Sequence, residues 1–355
     1  MPVSISPQRI LLVRPSALGD VCRTVPVLSS LKHAFPDARI DWIVNDTFVD
    51  AIRAHPALNE AIPFHRRRLA GWWYHPGIAL ELRRFLRGLK RTRYDLVLDC
   101  QGLGRSGLIT WMTRAPQRIG DAHAREGAGL GYTTKVDTSS IPHDVDRMLA
   151  LLPACGVEIQ KDMQLHVPDD SRADWEGSQV CREVSGSSFA VLAPASRWKT
   201  KAWPTSRWAQ LADELLDGRC EHVLIVGSSD ERDEAAAVRS AVTSNLARVH
   251  DVSGSSSIGM LMAMIEDAAV TVSNDSAPLH MAAGLGGRCV GLYGPTDPSK
   301  VGPYGLDDHV VRVELDAPVH YRDRSLGDSI MRRITVEEVL ERVDEVRTKS
   351  AKARR

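Results

Sequence analysis

VTVSNDSAPLHMAAGLGGRCVGLY, residues 270–293, reads as a strand, a sharp turn, a helix and a second strand in quick succession. Residues 270–272 are a short β-branched run, 277–285 carry a helical pattern opened by Pro278, and 288–293 turn apolar again. A strand feeding a helix and then another strand this closely predicts a parallel pair with the helix laid across it.

The same alternation fills the rest of the chain, which predicts an α/β fold whose parallel sheets are covered by helices on both faces. In the first half, strands are expected at 10–13, 39–44 and 95–99. Helices are expected at 21–35, near 48–54, at 77–90 and at 105–113. In the second half the strands are 190–192, 222–226, 270–272 and 288–293, and the helices 205–216, 230–241, 258–265, 277–285 and 335–349. Between the halves the chain turns polar, with VPDDSRADWEGSQ in its middle, so a linker is expected at 166–188. The domains are then 1–165 and 189–334, with a helix and basic tail over 335–355. Two Rossmann-like, doubly wound domains of this kind are expected to face across a cleft, and open α/β sheets bind ligands beyond the carboxyl ends of their strands.

Composition narrows the function. With 45 Lys+Arg against 45 Asp+Glu, the 355-residue chain has no formal net charge, which argues against a nucleic-acid partner. Six scattered cysteines without CxxC spacing read as small core residues of a reducing compartment, neither disulfides nor metal ligands. The N-terminus lacks a signal-peptide pattern and no apolar run reaches the length of a membrane span, so a cytoplasmic protein is expected. Charge is locally uneven: Arg66, Arg67, Arg68, Arg83, Arg84, Arg87, Lys90, Arg91 and Arg93 share their stretch with one acid, Glu81. Either a solvated helix face or a surface for an anionic partner or membrane explains it.

Three motifs fall where strands are expected to end. RPSALGD, residues 14–20, follows the first strand, and Asp20 sits where a helix begins. An N-cap alone accounts for an Asp there; a carboxylate opening onto a cleft is also placed to take the proton of an incoming hydroxyl. APASRWKTKAWP, residues 193–204, crowds Arg197, Lys199 and Lys201 before a helix start, where the helix dipole prefers anions. A bound phosphate among those cations is the expectation. Asn274–Asp275–Ser276, followed by the helix opening at Ala277, offers uncapped N–H groups to an anion. That helix end is worth only ~0.3–2 kcal/mol, so a cation must assist, and Lys201 and His280 are the candidates. A buried structural histidine is the other reading of His280.

Two further patterns are expected to be decoys. GLGRSG at 102–107 fits GxGxxG, but the only nearby acid, Asp121, does not stand where a dinucleotide fingerprint requires one. Asp144–Val145–Asp146 has the form of a DxD metal motif, yet HDVDRMLALL is a helical pattern and capping with surface charge explains the acids.

Taken in order, RILLVRPSALGDVCRTVPVL, YDLVLDCQGLGRSGLIT, RIG, AREG, HDVDRMLALL, KAWP, VGSSDERDEAA and NDSAPLHMAAGLGG with GLYGPTDP and GPYG resemble the ADP-heptose:lipopolysaccharide heptosyltransferases. These are inverting enzymes of GT-B fold, and the resemblance covers nearly the whole chain. It implies Asp20 as general base and Lys201 as neutraliser of the donor phosphates. Lys199, in the same loop, joins the donor side. Asp275, Ser276, Ala277 and His280 match the loop contacting the diphosphate and heptose, Glu231 matches an acid on the adenosine ribose, and Ala195 and Ser196 match loop residues near the phosphate. Gly often stands at the place of Ala277, whose methyl group narrows the loop.

An ADP-sugar co-substrate with no metal or other cofactor is implied, together with an anionic glycolipid acceptor of the lipopolysaccharide-core type. Arg66, Arg67, Arg68, Arg118 and Arg125 are the expected acceptor contacts, and Trp72, Trp73 and Tyr74 would stack on sugar or graze the inner membrane. A different enzyme class, an NAD-dependent oxidoreductase using Gly102, Gly104 and Gly107 around a pyrophosphate, is the alternative; a silent sugar-binding protein is a third. The sequence carries no signal for oligomeric state.

Overall fold

A computed structural model describes residues 6–353 except 72, 316, 318, 324, 326 and 327. The chain forms two compact units, Met1–His166 and Val167–Arg355. The first holds a parallel sheet of β1 (Arg9–Val13), β2 (Arg39–Asn45), β3 (Glu60–Phe64), β4 (Leu96–Asp99), β5 (Gln117–Asp121) and β6 (Thr134–Val136), in the order β3-β2-β1-β4-β5-β6. The second holds β7 (Phe189–Ala193), β8 (His222–Ile225), β9 (Val249–Asp251), β10 (Val270–Asn274), β11 (Cys289–Tyr293) and β12 (Val310–Arg312), in the order β12-β11-β10-β7-β8-β9. Ile10 through Val13 and Ala190 through Leu192 are 0 % exposed, as unbroken apolar strands must be when helices cover both faces.

Strand order reverses beside the first strand of each unit, between β1 and β4 and again between β7 and β10. At such a switch point the two flanking loops diverge and leave room for a ligand. The loops after β1 and β4, and after β7 and β10, carry the motifs singled out above.

Three expectations need correction. The helix over 21–35 is two helices, Leu18–Arg23 and Val25–Ala34. Pro26 has no N–H to offer the Cys22 carbonyl, and the Thr24 hydroxyl donates to the Asp20 carbonyl at 2.8 Å while its N–H turns to Val21. The stretch 166–188 is no linker: helices Asp169–Glu176 and Gln179–Val184 belong to the second unit. Trp175 is fully buried and its Nε1 donates to Asp267 at 2.8 Å, while Arg172 grips the same carboxylate with two contacts of 2.9 Å. One buried indole outweighs a polar composition. Finally, β3, β5, β6, β9 and β12 were not among the expected strands; all but β5 are sheet edges, where short strands lack the two-sided burial that makes an apolar run, and β5, QRIGD, has only Ile119 as a large apolar residue. The last helix, Val336–Ala353, buries Val336, Val339, Val343 and Val346 in the second unit's core.

Candidate active site

At the β7/β10 switch point, the last residue of β10 organises both loops. Asn274, wholly buried, donates from Nδ2 to the Pro194 carbonyl at 2.6 Å and accepts the Trp203 N–H at 3.2 Å. It thereby clips the start and the end of the loop that follows β7. Trp203 packs edge-on against Trp208 at 5.2 Å and donates to the Ile334 carbonyl at 3.1 Å, so the loop's far end is fixed to the core.

Between these anchors, Lys199–Lys201 forms a 3-10 turn. The Lys201 ammonium contacts Asp275 at 2.6 Å, with the side chains only 14 % and 8 % exposed, and lies 4.4 Å from the centre of the Tyr321 ring. Thr200 donates to the Tyr321 carbonyl, which ties that aromatic to the turn. The negative partner expected among these cations is therefore, in this structure, a carboxylate of the chain itself.

Helix Ala277–Gly284 starts directly beyond Asp275. Ser276 is its N-cap residue, but no side chain caps the helix, because the Ser276 hydroxyl pairs with that of Ser273 at 2.9 Å. The uncapped end keeps its partial positive charge beside the Lys201–Asp275 pair. His280 is buried one turn in. Ala195 and Ser196 are half-buried behind Pro194, and Lys199 is exposed. Glu231 stands after β8, in the turn Ser229–Glu231, where its carboxylate accepts the Ser228 N–H at 2.7 Å.

The β1/β4 switch point of the first unit is built differently. Asp20 is the third residue of its helix, not the cap: its carboxylate accepts the N–H of Ala17 at 3.1 Å. Arg14 meets it at 2.9 Å and Arg23 pairs with its other oxygen. Burial on its own would raise the Asp20 pKa, but the two guanidinium charges and the Ala17 N–H prevail and hold it well below the usual carboxylate range. Arg23 also reaches Asp144 at 3.5 Å, and Arg14 donates to the Cys100 carbonyl beyond β4. The loop after β1 is tied to the one after β4 by the Ser16 N–H, which donates to the Gln101 side chain at 3.1 Å.

Asp99, at the end of β4, accepts the N–H groups of Gln101 and Gly102 at 2.9 and 3.1 Å and the Tyr132 hydroxyl at 2.8 Å. Burial still raises its pKa. Cys22, beside Asp20, is pushed up by burial to about 12, so it remains a thiol. Asn274, Arg14, Arg23, Asp99 and Tyr321 are functional neighbours that sequence reasoning missed. Asn274 and Arg14 lay inside the motifs quoted, whereas Tyr321 sits in a loop with no periodicity to mark it.

Both decoys have structural explanations. An added Cβ on Gly104 would lie 2.8 Å from the Glu126 carbonyl and one on Gly107 2.5 Å from Ala128, so these glycines let the helix Gly104–Thr113 pack against the loop after β5. The cap of helix Asp144–Leu149 is His143, whose ring accepts the Val145 N–H at 3.1 Å; Asp144 pairs with Arg23, and Asp146 with Lys161 at 3.7 Å.

The arginines expected at the acceptor are held in different ways. Arg66, Arg67 and Arg68 are exposed on the short helix Arg66–Leu69, and Arg68 pairs with Glu81 at 2.8 Å. Arg125 is exposed in the loop after β5, its N–H donating to the Gly102 carbonyl at 2.8 Å. Arg118 is spent on structure: it donates to the carbonyls of Gly131, at 2.7 Å, and Ala115, from the amino-terminal end of β5. Trp73 and Tyr74 are exposed, and Trp72 lies outside the described residues.

Residues 82–327 match the model of glycosyltransferase family 9 (heptosyltransferase). Lipopolysaccharide heptosyltransferase 1 of Pseudomonas aeruginosa is 30 % identical over 305 residues, covering 84 % of this chain and 81 % of the relative. The enzyme of the same name from Escherichia coli K12 is 29 % identical, with 91 % and 99 % covered. Among solved structures, E. coli heptosyltransferase WaaC with ADP superposes with a TM-score of 0.76 at 25 % identity, over 95 % of this chain and 99 % of that one. The family 9 glycosyltransferase of Veillonella parvula reaches a TM-score of 0.79 at 18 % identity, over 96 % and 97 %, a likeness of fold. On the family match and the ordered motifs together, this chain belongs to glycosyltransferase family 9, the heptosyltransferases.

Proposed function

We propose that the protein transfers a heptose from ADP-heptose to a lipopolysaccharide-core acceptor, with inversion at the anomeric carbon and without a metal. The observation that carries the proposal is the Lys201–Asp275 pair beside an uncapped helix start at a switch point, in a chain of this family. Relatives with the same architecture are lipopolysaccharide heptosyltransferases, and one was solved with ADP.

In this reaction the acceptor hydroxyl oxygen attacks the anomeric carbon and the bond from that carbon to the diphosphate breaks. The electron pair leaves on ADP, and Asp20 takes the hydroxyl proton. Lys201 and the N–H groups from Ala277 onward stabilise the charge gathering on the diphosphate, the kind of electrostatic support that usually dominates such catalysis. Ala195, Ser196, Lys199, Ser276 and His280 line the donor side, and Glu231 has an oxygen to offer a ribose hydroxyl. Arg66, Arg67 and Arg125 are assigned to the anionic acceptor; Arg118 is left out, because its Nε and Nη1 already hold the backbone carbonyls of Gly131 and Ala115.

The test is ADP release from ADP-heptose in the presence of a heptose-deficient lipopolysaccharide, compared with UDP- and GDP-sugars and repeated in excess chelator. Selective release that survives the chelator, with a product of inverted anomeric configuration, is expected. Release from a UDP-sugar alone, a retained configuration, or loss of activity in chelator would each overturn the corresponding part.

A further inference from the structure

Helix Pro76–Thr92 turns Ile78, Leu82, Phe85, Leu86 and Leu89 toward the first unit's core. Its other side carries Leu80, Arg83, Arg84, Arg87, Lys90 and Arg91, all exposed. Positions 80, 84, 87 and 91 make one stripe along the helix. Arg83 and Arg87, and Arg87 and Arg91, are four residues apart, a like-charge spacing that disfavours an isolated helix. Among the described residues no carboxylate lies within ion-pair distance of these five cations; the helix's Glu81 is taken by Arg68.

Two features make this more than a solvated face. Gly88 sits among the arginines in the C-terminal third of the helix, and a Cβ added there would meet nothing within 4 Å. The fold therefore does not require it, although glycine weakens a helix interior. What it permits is the close approach of a broad surface to the backbone between Arg84 and Arg91. At the head of the helix, Trp73 and Tyr74 are 74 % and 66 % exposed with rings in edge contact at 4.7 Å, and Leu80 is 43 % exposed. Bulky amphipathic rings beside an unpaired basic stripe suit the headgroup level of a bilayer. The perpendicular ring pair, packed on itself, is not the open stacking platform that a single-stranded nucleic acid needs.

We propose that the face formed by Trp73, Tyr74, Leu80, Arg83, Arg84, Arg87 and Arg91 docks the protein on a bilayer bearing anionic headgroups. The chain as a whole carries no net charge, so attraction concentrated on one helix also orients the molecule on the membrane. This deepens the assignment of a glycolipid acceptor, since such an acceptor is reached at a membrane surface.

The full-length protein is sedimented with vesicles of phosphatidylcholine, with or without phosphatidylglycerol, at low and high salt. Binding to the anionic vesicles alone, weakened by salt, is expected. Replacing Arg84, Arg87 and Arg91 by Gln together should cut the partition coefficient on the order of 10²-fold, about fivefold per charge. Trp73→Ala should weaken binding at high salt as well as low. Melting curves of both variants should match wild type because the side chains are exposed. Equal binding to neutral vesicles, unchanged binding of the triple variant, or retention on RNA without binding to vesicles would overturn the proposal. The vesicles contain neither donor nor acceptor, so a protein that binds them but releases no ADP sinks the transfer reaction and leaves this surface standing.

Discussion

Each unit places a carboxylate at the switch point of its sheet, and the two are restrained in opposite ways. Asp20 is held by two arginines and a backbone N–H, with 24 % of its side chain exposed; Asp275 is held by one lysine at 2.6 Å, with 8 % exposed. A guanidinium is a rigid fork that fixes what it grips, whereas an ammonium on a flexible stem is a point charge that re-aims by rotation. The first arrangement therefore fixes in place a carboxylate that is ionised at neutral pH. On the proposed function, the second keeps a cation in reserve, neutralised by Asp275 until a diphosphate competes for it, so that one site stays still and the other exchanges partners.

The contrast is broken most directly at Asp20. Asp20→Asn keeps the shape and removes the charge, and kcat/KM should fall by about 10²–10⁴-fold if the carboxylate is the base. Wild-type turnover in that variant would remove Asp20 from the chemistry. Because its folded pKa is depressed, the stability it contributes is complete above the unfolded value of about 3.9 and is lost as pH falls through the native one. No acid limb from Asp20 is therefore expected in kcat/KM between about pH 4 and 7. Arg23→Gln should move protonation of Asp20 upward, and a limb that appears in the variant's profile but not in wild type would show it.

The exchangeable pair is tested by a double-mutant cycle. Lys201→Met should lower kcat by roughly 10²–10³-fold, as loss of a transition-state charge contact does. It also strands Asp275 as an unpaired buried carboxylate, at a cost of about 3–5 kcal/mol. Adding Asp275→Asn should restore most of the stability, read from melting, and little of the rate. If the rate returned too, the lysine would serve only to silence Asp275.

How far the sequence foretold these sites follows from what a linear pattern can encode. The strands buried on both faces, such as 10–13 and 270–272, announce themselves as apolar or β-branched runs, and their alternation with helices pointed to doubly wound sheets. Loop identity was legible too, because switch-point loops must follow β1, β7 and β10. Partner choice was not. Crowded Lys199 and Lys201 signalled a missing anion, but nothing local said that Asp275, seventy-four residues on, supplies one. Asp20 read as a cap because position and residue type agree with capping; only coordinates reveal that the helix starts two residues earlier and that arginines flank it. The segment 166–188 misled because composition averages over a single decisive residue, Trp175.

The smallest effect, and the sharpest comparison, lies in the clips that hold each switch point together. Asn274 joins the loops of the second unit through two bonds from a wholly buried amide; Gln101 joins those of the first through one bond to the Ser16 N–H from a half-buried side chain. Asn274→Ala leaves a buried carbonyl and a buried N–H unpaired, at about 2 kcal/mol, enough to lower the melting of a unit this size by roughly 4–8 °C. Trp203 stays anchored through Trp208 and Ile334, so the loop should loosen rather than detach, and the donor KM should rise more than kcat falls. Gln101→Ala lets water replace the lost bond and should cost about 1 kcal/mol or less. Equal shifts in the two variants would mean that burial does not separate the clips, and the rigid-against-exchangeable contrast would then rest on the ion pairs alone.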